Sequence, residues 1–175
     1  MFDVSRNWRC ISATDLAGRG QLAIGREIVR VQADFGKIFN AGTEFQKDGS
    51  QFDQLFQDGD RFKLGKLDAT VLHVPGHTHA LLAYVIGDAV FPGDTLFMSD
   101  YGTARCDFLG GDARTPYRYE GVSEDAFVKM RNDRDATLAM PRLILPSVQV
   151  NMRAGKLPPA EVNGIHYLKI PINAL

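Results

Sequence analysis

Two matched turns constrain this chain more than any other feature. Val74-Pro75-Gly76-His77-Thr78 and Phe91-Pro92-Gly93-Asp94-Thr95 each follow a short run with strand character. Proline cannot donate to a sheet ladder, and glycine adopts backbone angles closed to other residues, so a Pro-Gly step breaks a strand. The next side chain then projects from the strand end. The pattern therefore predicts an imidazole, His77, and a carboxylate, Asp94, carried on the ends of strands.

The surrounding residues extend this reading. A short strand is predicted over 21–24, followed by a helix in which Ile28, Val31, Phe35 and Ile38 recur on one face; Gly36 weakens it near its end. From Asp58 onward the texture becomes that of strands: Arg61 to Leu64, a Gly65-Lys66 turn, then Leu67 to Val74 with Ala69, Val71 and His73 on one face. Leu81 to Ile86, a Gly87-Asp88 turn and Ala89 to Phe91 complete a meander. A second helix is predicted to start at Ser123, which can cap its first turn; Glu124 and Asp125 suit the positive end, and Phe127 with Met130 supplies an apolar edge. Pro141 and Pro146 bracket an extended Leu143-Ile144-Leu145, and Tyr167 to Ile170 reads as strand-like. Strands before and between helices give an α/β or α+β layered domain.

Composition narrows the class. With 175 residues, 45% of them hydrophobic, the chain suits one domain spanning 1–175 with a real core. Residues 1–20 form an atypical N-terminal segment within it. Twenty basic residues against 21 acidic ones leave a formal net charge of -1, so no basic field points to nucleic acid or an anionic membrane. No signal-peptide core or membrane-length apolar run occurs, and the two cysteines, Cys10 and Cys106, stand far apart. A cytoplasmic protein with a small-molecule partner is expected.

A neutral imidazole and a carboxylate together suit Zn, Fe or Mn, and two His with one carboxylate is the usual non-haem Fe(II) set. Two ligands alone do not hold a metal. His77 and His79 with Asp94 would make three, provided the backbone between the two histidines is extended. An exposed His79 with no ligand role is the commoner arrangement. His73 is read as a half-buried packing residue, and His166 lies in a structural tail.

The two turns, followed by Leu96-Phe97, Gly102-Thr103-Ala104-Arg105-Cys106-Asp107-Phe108 and Gly110-Gly111-Asp112-Ala113-Arg114, resemble the metallo-beta-lactamase superfamily. Within it, the chain is most similar to persulfide dioxygenases and the bacterial beta-lactamase-like sulfur transferase/dioxygenase group. The similarity runs from about Leu22 to the C-terminus and includes Phe35 to Asn40, Gly42 to Gln46 and Leu145 to Gly155. The resemblance implies an αββα sandwich and oxidation of glutathione persulfide by O2 to sulfite at a mononuclear iron. It assigns His77 and Asp94 to the metal, and Arg105 to the glutathione moiety of the substrate. Iron is the expected metal; zinc, as in thioester hydrolases of the glyoxalase II kind, is the alternative, and a chain that binds none is the third case.

The chain departs from that pattern in two places. The upstream H-x-H-x-D-H motif, which supplies a further His ligand, is absent, and residues 11–20 contain no histidine. After Asp112-Ala113-Arg114-Thr115, the usual helix, strand and His-Asp turn are also missing, because Tyr117-Arg118-Tyr119 runs almost directly into Gly121-Val122-Ser123. The expected fold is thus an incomplete sandwich lacking its leading strands and an internal segment. A non-catalytic remnant of the fold is the third functional class beside dioxygenase and hydrolase. Uncovered apolar faces, including the Ile28, Val31, Phe35 and Ile38 stripe, would lower stability or drive homo-oligomerisation. Cys106, beside Arg105, is read as a small buried hydrophobe rather than a persulfide carrier, and Asp107, Asp112 and Arg114 as orienting groups of the same loop.

Overall fold

The computed structural model describes residues 21–97, 105–106 and 122–172. The expectations for residues 1–20 and for Asp107, Asp112, Arg114 and 117–121 lie outside them.

Strand β1 (Ala23–Gly25), helix α1 (Ile28–Ile38) and strand β2 (Gln54–Phe56) form the first unit. The strands pair in parallel, Ala23 with Gln54 and Gly25 with Phe56, and the helix provides the crossover that parallel neighbours require. Strands β3 (Arg61–Leu64), β4 (Leu67–His73), β5 (Leu82–Ile86) and β6 (Ala89–Phe91) then form an antiparallel sheet in chain order. Its tight turns use Gly65 and Gly87, both at positive φ. The predicted meander is therefore present, with Ala69 and Val71 fully buried on one face.

Aromatic rings join the two sheets. Phe56 of β2 lies 5.1 Å from the ring of Phe62 and 6.4 Å from that of Tyr84, with Val71 and Leu82 buried beneath them. A second cluster packs Phe35 and Phe39 of α1 against Phe45 and Met152. Val31 and Ile38 pack against this second cluster, so the apolar stripe of α1 finds cover, contrary to the expectation of an open face. Exposed apolar side chains lie elsewhere, among them Val90 and Phe91 on the β6 rim, Leu96 and Phe97 beyond it, and Val162, Ile170 and Ile172 in the tail.

A buried glutamine ties the second cluster together. Gln32, fully buried on α1, donates to Gln51 Oε1 and to the carbonyl of Met152, and its own Oε1 accepts from the Gly49 amide. All of its capacity to link distant backbone is thus satisfied inside the core.

Helix α2 (Glu124–Asp135) starts as its sequence predicts, with Ser123 Oγ accepting from the Ala126 amide at 3.3 Å. Phe127 is buried, but Met130 is 49% exposed; the inner face continues through Arg131 and Asp135 instead. Residues 143–145 are not extended as expected. Helix α3 (Ile144–Asn151) contains Pro146 at its third position, where the missing N–H has no helical acceptor to lose. The expected strand over 167–170 is also absent: the tail makes one bridge, Ala160 with His166, and is otherwise held by side chains. Gln149 supplies the hold, its Nε2 donating to the Lys169 carbonyl and its Oε1 accepting from the Lys169 amide.

Candidate metal centre

Sheet order brings the two sequence-predicted ligands to one place. Because β5 runs antiparallel to both neighbours, β4 and β6 end at the same edge of the sheet. His77 lies in the loop leaving β4, and Asp94 in a single 3-10 turn, Gly93–Thr95, leaving β6. The Pro-Gly pattern works through different angles in the two loops. Gly93 sits at φ 57, in the left-handed region, whereas residues 76–77 form a bend without positive φ.

The His77 loop is held from below. A Cβ placed on Gly25 would come within 2.4 Å of the Ala80 carbonyl oxygen, so only glycine lets the end of β1 approach this loop. The loop is closed by a Val74 amide to Leu81 carbonyl bond of 3.1 Å. Its backbone is thereby fixed independently of anything bound to its side chains.

His77 is oriented by a backbone oxygen. Its Nδ1 lies 2.6 Å from the Arg105 carbonyl, and a carbonyl only accepts, so Nδ1 carries the proton. Nε2 is then the lone-pair nitrogen of the neutral ring. It faces Asp94 Oδ2 across 4.0 Å, too far for a hydrogen bond. Two ligands of a tetrahedral ion, each about 2.1 Å from it, stand roughly 3.4 Å apart, so a closure of about half an ångström would bring both onto one cation. An imidazole whose other nitrogen donates to a carbonyl is the usual state of a metal-bound histidine.

The pair fits a divalent metal in donor type and orientation, and supplies part of a ligand set. No three His, Cys, Asp or Glu groups lie together as a possible metal cluster among the described residues. His79 does not complete the set: the backbone bends at 77 and enters a turn at 79 rather than running extended between the two histidines. Its carbonyl instead accepts from His73 Nε2 at 2.7 Å, which accounts for His73 as a packing residue. His166 is likewise engaged, its Nδ1 2.6 Å from the Pro158 carbonyl. Thr95 Oγ1, on the residue after Asp94, is buried without a hydrogen-bond partner among the described residues.

Arg105 has a structural engagement that its sequence did not reveal. Its Nη1 donates to the carbonyls of Leu138 and Ala139, at 3.2 and 2.8 Å, and its Nη2 to that of Asp135 at 3.2 Å. A cation at the end of α2 meets the negative pole of the helix and satisfies carbonyls that lack helical partners. Beside it Cys106 is buried, its amide donating to Asp135 Oδ2. Asp135 is held in turn by Arg131, whose Nη2 lies 3.1 and 3.3 Å from the two carboxylate oxygens. The result is a continuous support: Arg131 fixes Asp135, Asp135 fixes the 105–106 backbone, and the Arg105 carbonyl fixes the imidazole. The spacing of Phe127, Arg131 and Asp135 at four-residue intervals on one helix was the signal for that buried face.

Comparison with known proteins agrees with this architecture. Residues 12–141 match the metallo-beta-lactamase superfamily. A probable metallo-hydrolase of Burkholderia pseudomallei is 48% identical, over 89% of this chain and 71% of that protein. Glyoxylase B2 of Dictyostelium discoideum is 44% identical, covering 87% and 68% of the two chains. The crystal structure of ETHE1 from Myxococcus xanthus superposes with a TM-score of 0.51 at 25% identity, over 60% of this chain and 62% of that one. The chain belongs to the metallo-beta-lactamase superfamily, and its mixed α/β fold covers part of the ETHE1 fold. The Burkholderia match extends over 209 residues, more than the 175 present here, so that relative carries residues inside the matched span that this chain lacks.

Proposed function

We propose that this chain is a metal-binding member of the persulfide dioxygenase type, in which His77 and Asp94 supply two of the ligands of one iron ion and the substrate is a glutathione-linked persulfide in the cytoplasm. The observation that carries this reading is the meeting of His77 Nε2 and Asp94 Oδ2 at one edge of the sheet, with Nδ1 already engaged. The similarity to ETHE1 supports the choice within the family. An iron ion held there would supply the redox chemistry that oxidises sulfane sulfur with O2. The chain's own contribution is positional: the Gly25 and Ala80 contact sets the loop, the Arg105 carbonyl holds the imidazole, and the 3-10 turn directs the carboxylate.

Arg105 enters this proposal as the residue beside the glutathione moiety. The Arg105 guanidinium would meet the substrate carboxylate, while its bonds to the carbonyls of Asp135, Leu138 and Ala139 keep it rigid. The exposed Val90 and Phe91 of the β6 rim make self-association part of the same reading, to be checked by sedimentation.

Two alternatives have observations of their own. A zinc thioester hydrolase of the glyoxalase II kind is favoured by the 44% identity to glyoxylase B2. A non-catalytic scaffold is favoured by the two-membered donor set among the described residues. Metal analysis of the purified protein, followed by oxygen uptake with glutathione persulfide and thioester cleavage with an acylglutathione, separates all three. Iron with oxygen uptake is the proposed result. Zinc with thioester cleavage selects the hydrolase, and neither activity in the metal-loaded protein selects the scaffold.

A further inference from the structure

A cavity of about 230 Å³ opens between the end of α1, the 41–44 turn, the end of α3 and the tail, among residues separate from His77 and Asp94. Its lining includes a half-buried cation, Arg153. The Arg153 side chain is only 11% exposed, and its Nε is buried without a hydrogen-bond partner among the described residues. Its guanidinium rests on the Phe45 ring, 4.4 Å from the centroid, and its carboxylate neighbour among the described residues is Glu44, with Nη2 to Oε1 at 3.6 Å. That distance exceeds a good hydrogen bond, and Glu44 is itself 47% exposed. A guanidinium keeps its charge when buried, so its fork of donors calls for a planar anion. Lys169 adds a second cation to the lining, its Nζ 3.1 Å from the Asn40 carbonyl.

We propose that this cavity binds a small organic monocarboxylate with an apolar body. The Arg153 fork takes the carboxylate, and Glu44 yields its place. Phe39, Met152, Pro158 and Pro159 give the lining an apolar portion for the body, beside the polar side chains of Asn40, Gln149 and Tyr167. The acidic side chains of Glu44 and Glu161 in the same lining disfavour a dianion such as phosphate. The volume suits a ring-sized body, since a cavity of about 150 Å³ already accommodates benzene. The site is independent of the metal pair and stands whether or not that pair holds iron.

The test is titration of the full chain with sodium benzoate, read from the methionine methyl resonances. Met152 lines the cavity, whereas Met130 and Met140 lie on the surface and report non-specific binding. Saturable movement of the Met152 methyl at about millimolar benzoate, with Met130 and Met140 still, is the expected result for a fragment of this size. Benzamide and inorganic phosphate should leave Met152 unmoved at the same concentrations. Glu44→Gln should tighten benzoate about threefold to tenfold by removing the competing carboxylate, and Lys169→Gln should weaken it by a similar factor. The gain in Glu44→Gln cannot come from unfolding, so it decides the matter even if Arg153→Gln fails to fold. An unmoved Met152 methyl, an equal response to benzamide or phosphate, or unchanged or weaker affinity in Glu44→Gln would overturn the proposal and leave Arg153 as a structural cation.

Discussion

The sheet edge that carries His77 and the face where α1 meets α3 are held together by different physics. At the sheet edge, strands separated by short turns pair with their immediate neighbours and carry the loops of His77 and Asp94, with the Gly25 approach and the Arg105 carbonyl holding the His77 loop from outside the hairpins. Between α1 and α3, polar side chains join residues remote in sequence: Gln32 reaches the Met152 carbonyl, and Gln149 brackets Lys169. The first arrangement forms from local contacts and leaves its outer rim exposed at Val90 and Phe91. The second buries its apolar stripe completely enough to need satisfied amides inside. The α1 stripe is covered, whereas apolar side chains stay exposed both at the rim beside His77 and Asp94, at Val90 and Phe91, and along the tail, at Val162, Ile170 and Ile172.

The largest effect expected from breaking this contrast comes from the support that links the helical side to the metal pair. Asp135→Ala leaves Arg131 buried without its carboxylate and frees the Cys106 amide, at a cost of about 3 to 5 kcal/mol, read as loss of the cooperative melt in calorimetry. Met152→Ala opens the α1–α3 cluster and should cost about 2 to 5 kcal/mol while sparing the metal pair, since that cluster does not include the ligand loops. A metal affinity that fell as sharply in Met152→Ala as in Asp135→Ala would remove the distinction between the two regions.

Smaller effects sharpen it. Gly25→Ala must push the Ala80 carbonyl away, so it should cost about 1 to 3 kcal/mol and loosen metal binding through the His77 loop, as measured by denaturant midpoint and metal titration. Gly93→Ala forces φ 57 on a residue with a Cβ and should cost about 1 to 2 kcal/mol, with the loss felt at Asp94. The smallest effect concerns pH. Burial raises the Tyr84 phenol above its ordinary value near 10, so the fold favours the neutral form. Its contribution is fully present below pH 10 and is lost as pH rises through the higher folded value. Tyr84→Phe should flatten that alkaline decline in a pH series of melts; an unchanged slope would assign it to another group.

Legibility in the sequence follows the same division. The β3 to β6 meander, the α1 stripe and the Ser123 cap could be read because each depends on neighbours a few residues away. The convergence of His77 and Asp94 followed from matched turns on strands that flank a common partner. What could not be read depends on distant contacts. Pro141 and Pro146 suggested an extended segment between them, yet the first helical turn tolerates Pro146, and only the Met152 side of the core explains why a helix forms there. The tail looked like a strand by composition, but no strand edge among the described residues pairs with 167–170, and Gln149 holds it instead. Arg105 drew attention through the family resemblance, as a substrate-binding residue; its bonds to the end of α2, some thirty residues away, carried no local signal.

The most direct test of the central claim is titration of the metal-stripped protein with Fe(II), with Co(II) as a spectroscopic substitute, in the unaltered chain, His77→Ala and Asp94→Ala. One equivalent of metal bound by the unaltered chain, and lost in both variants while their melts stay cooperative, is the predicted result. Metal uptake that survives either substitution undiminished would show that His77 and Asp94 do not share a cation.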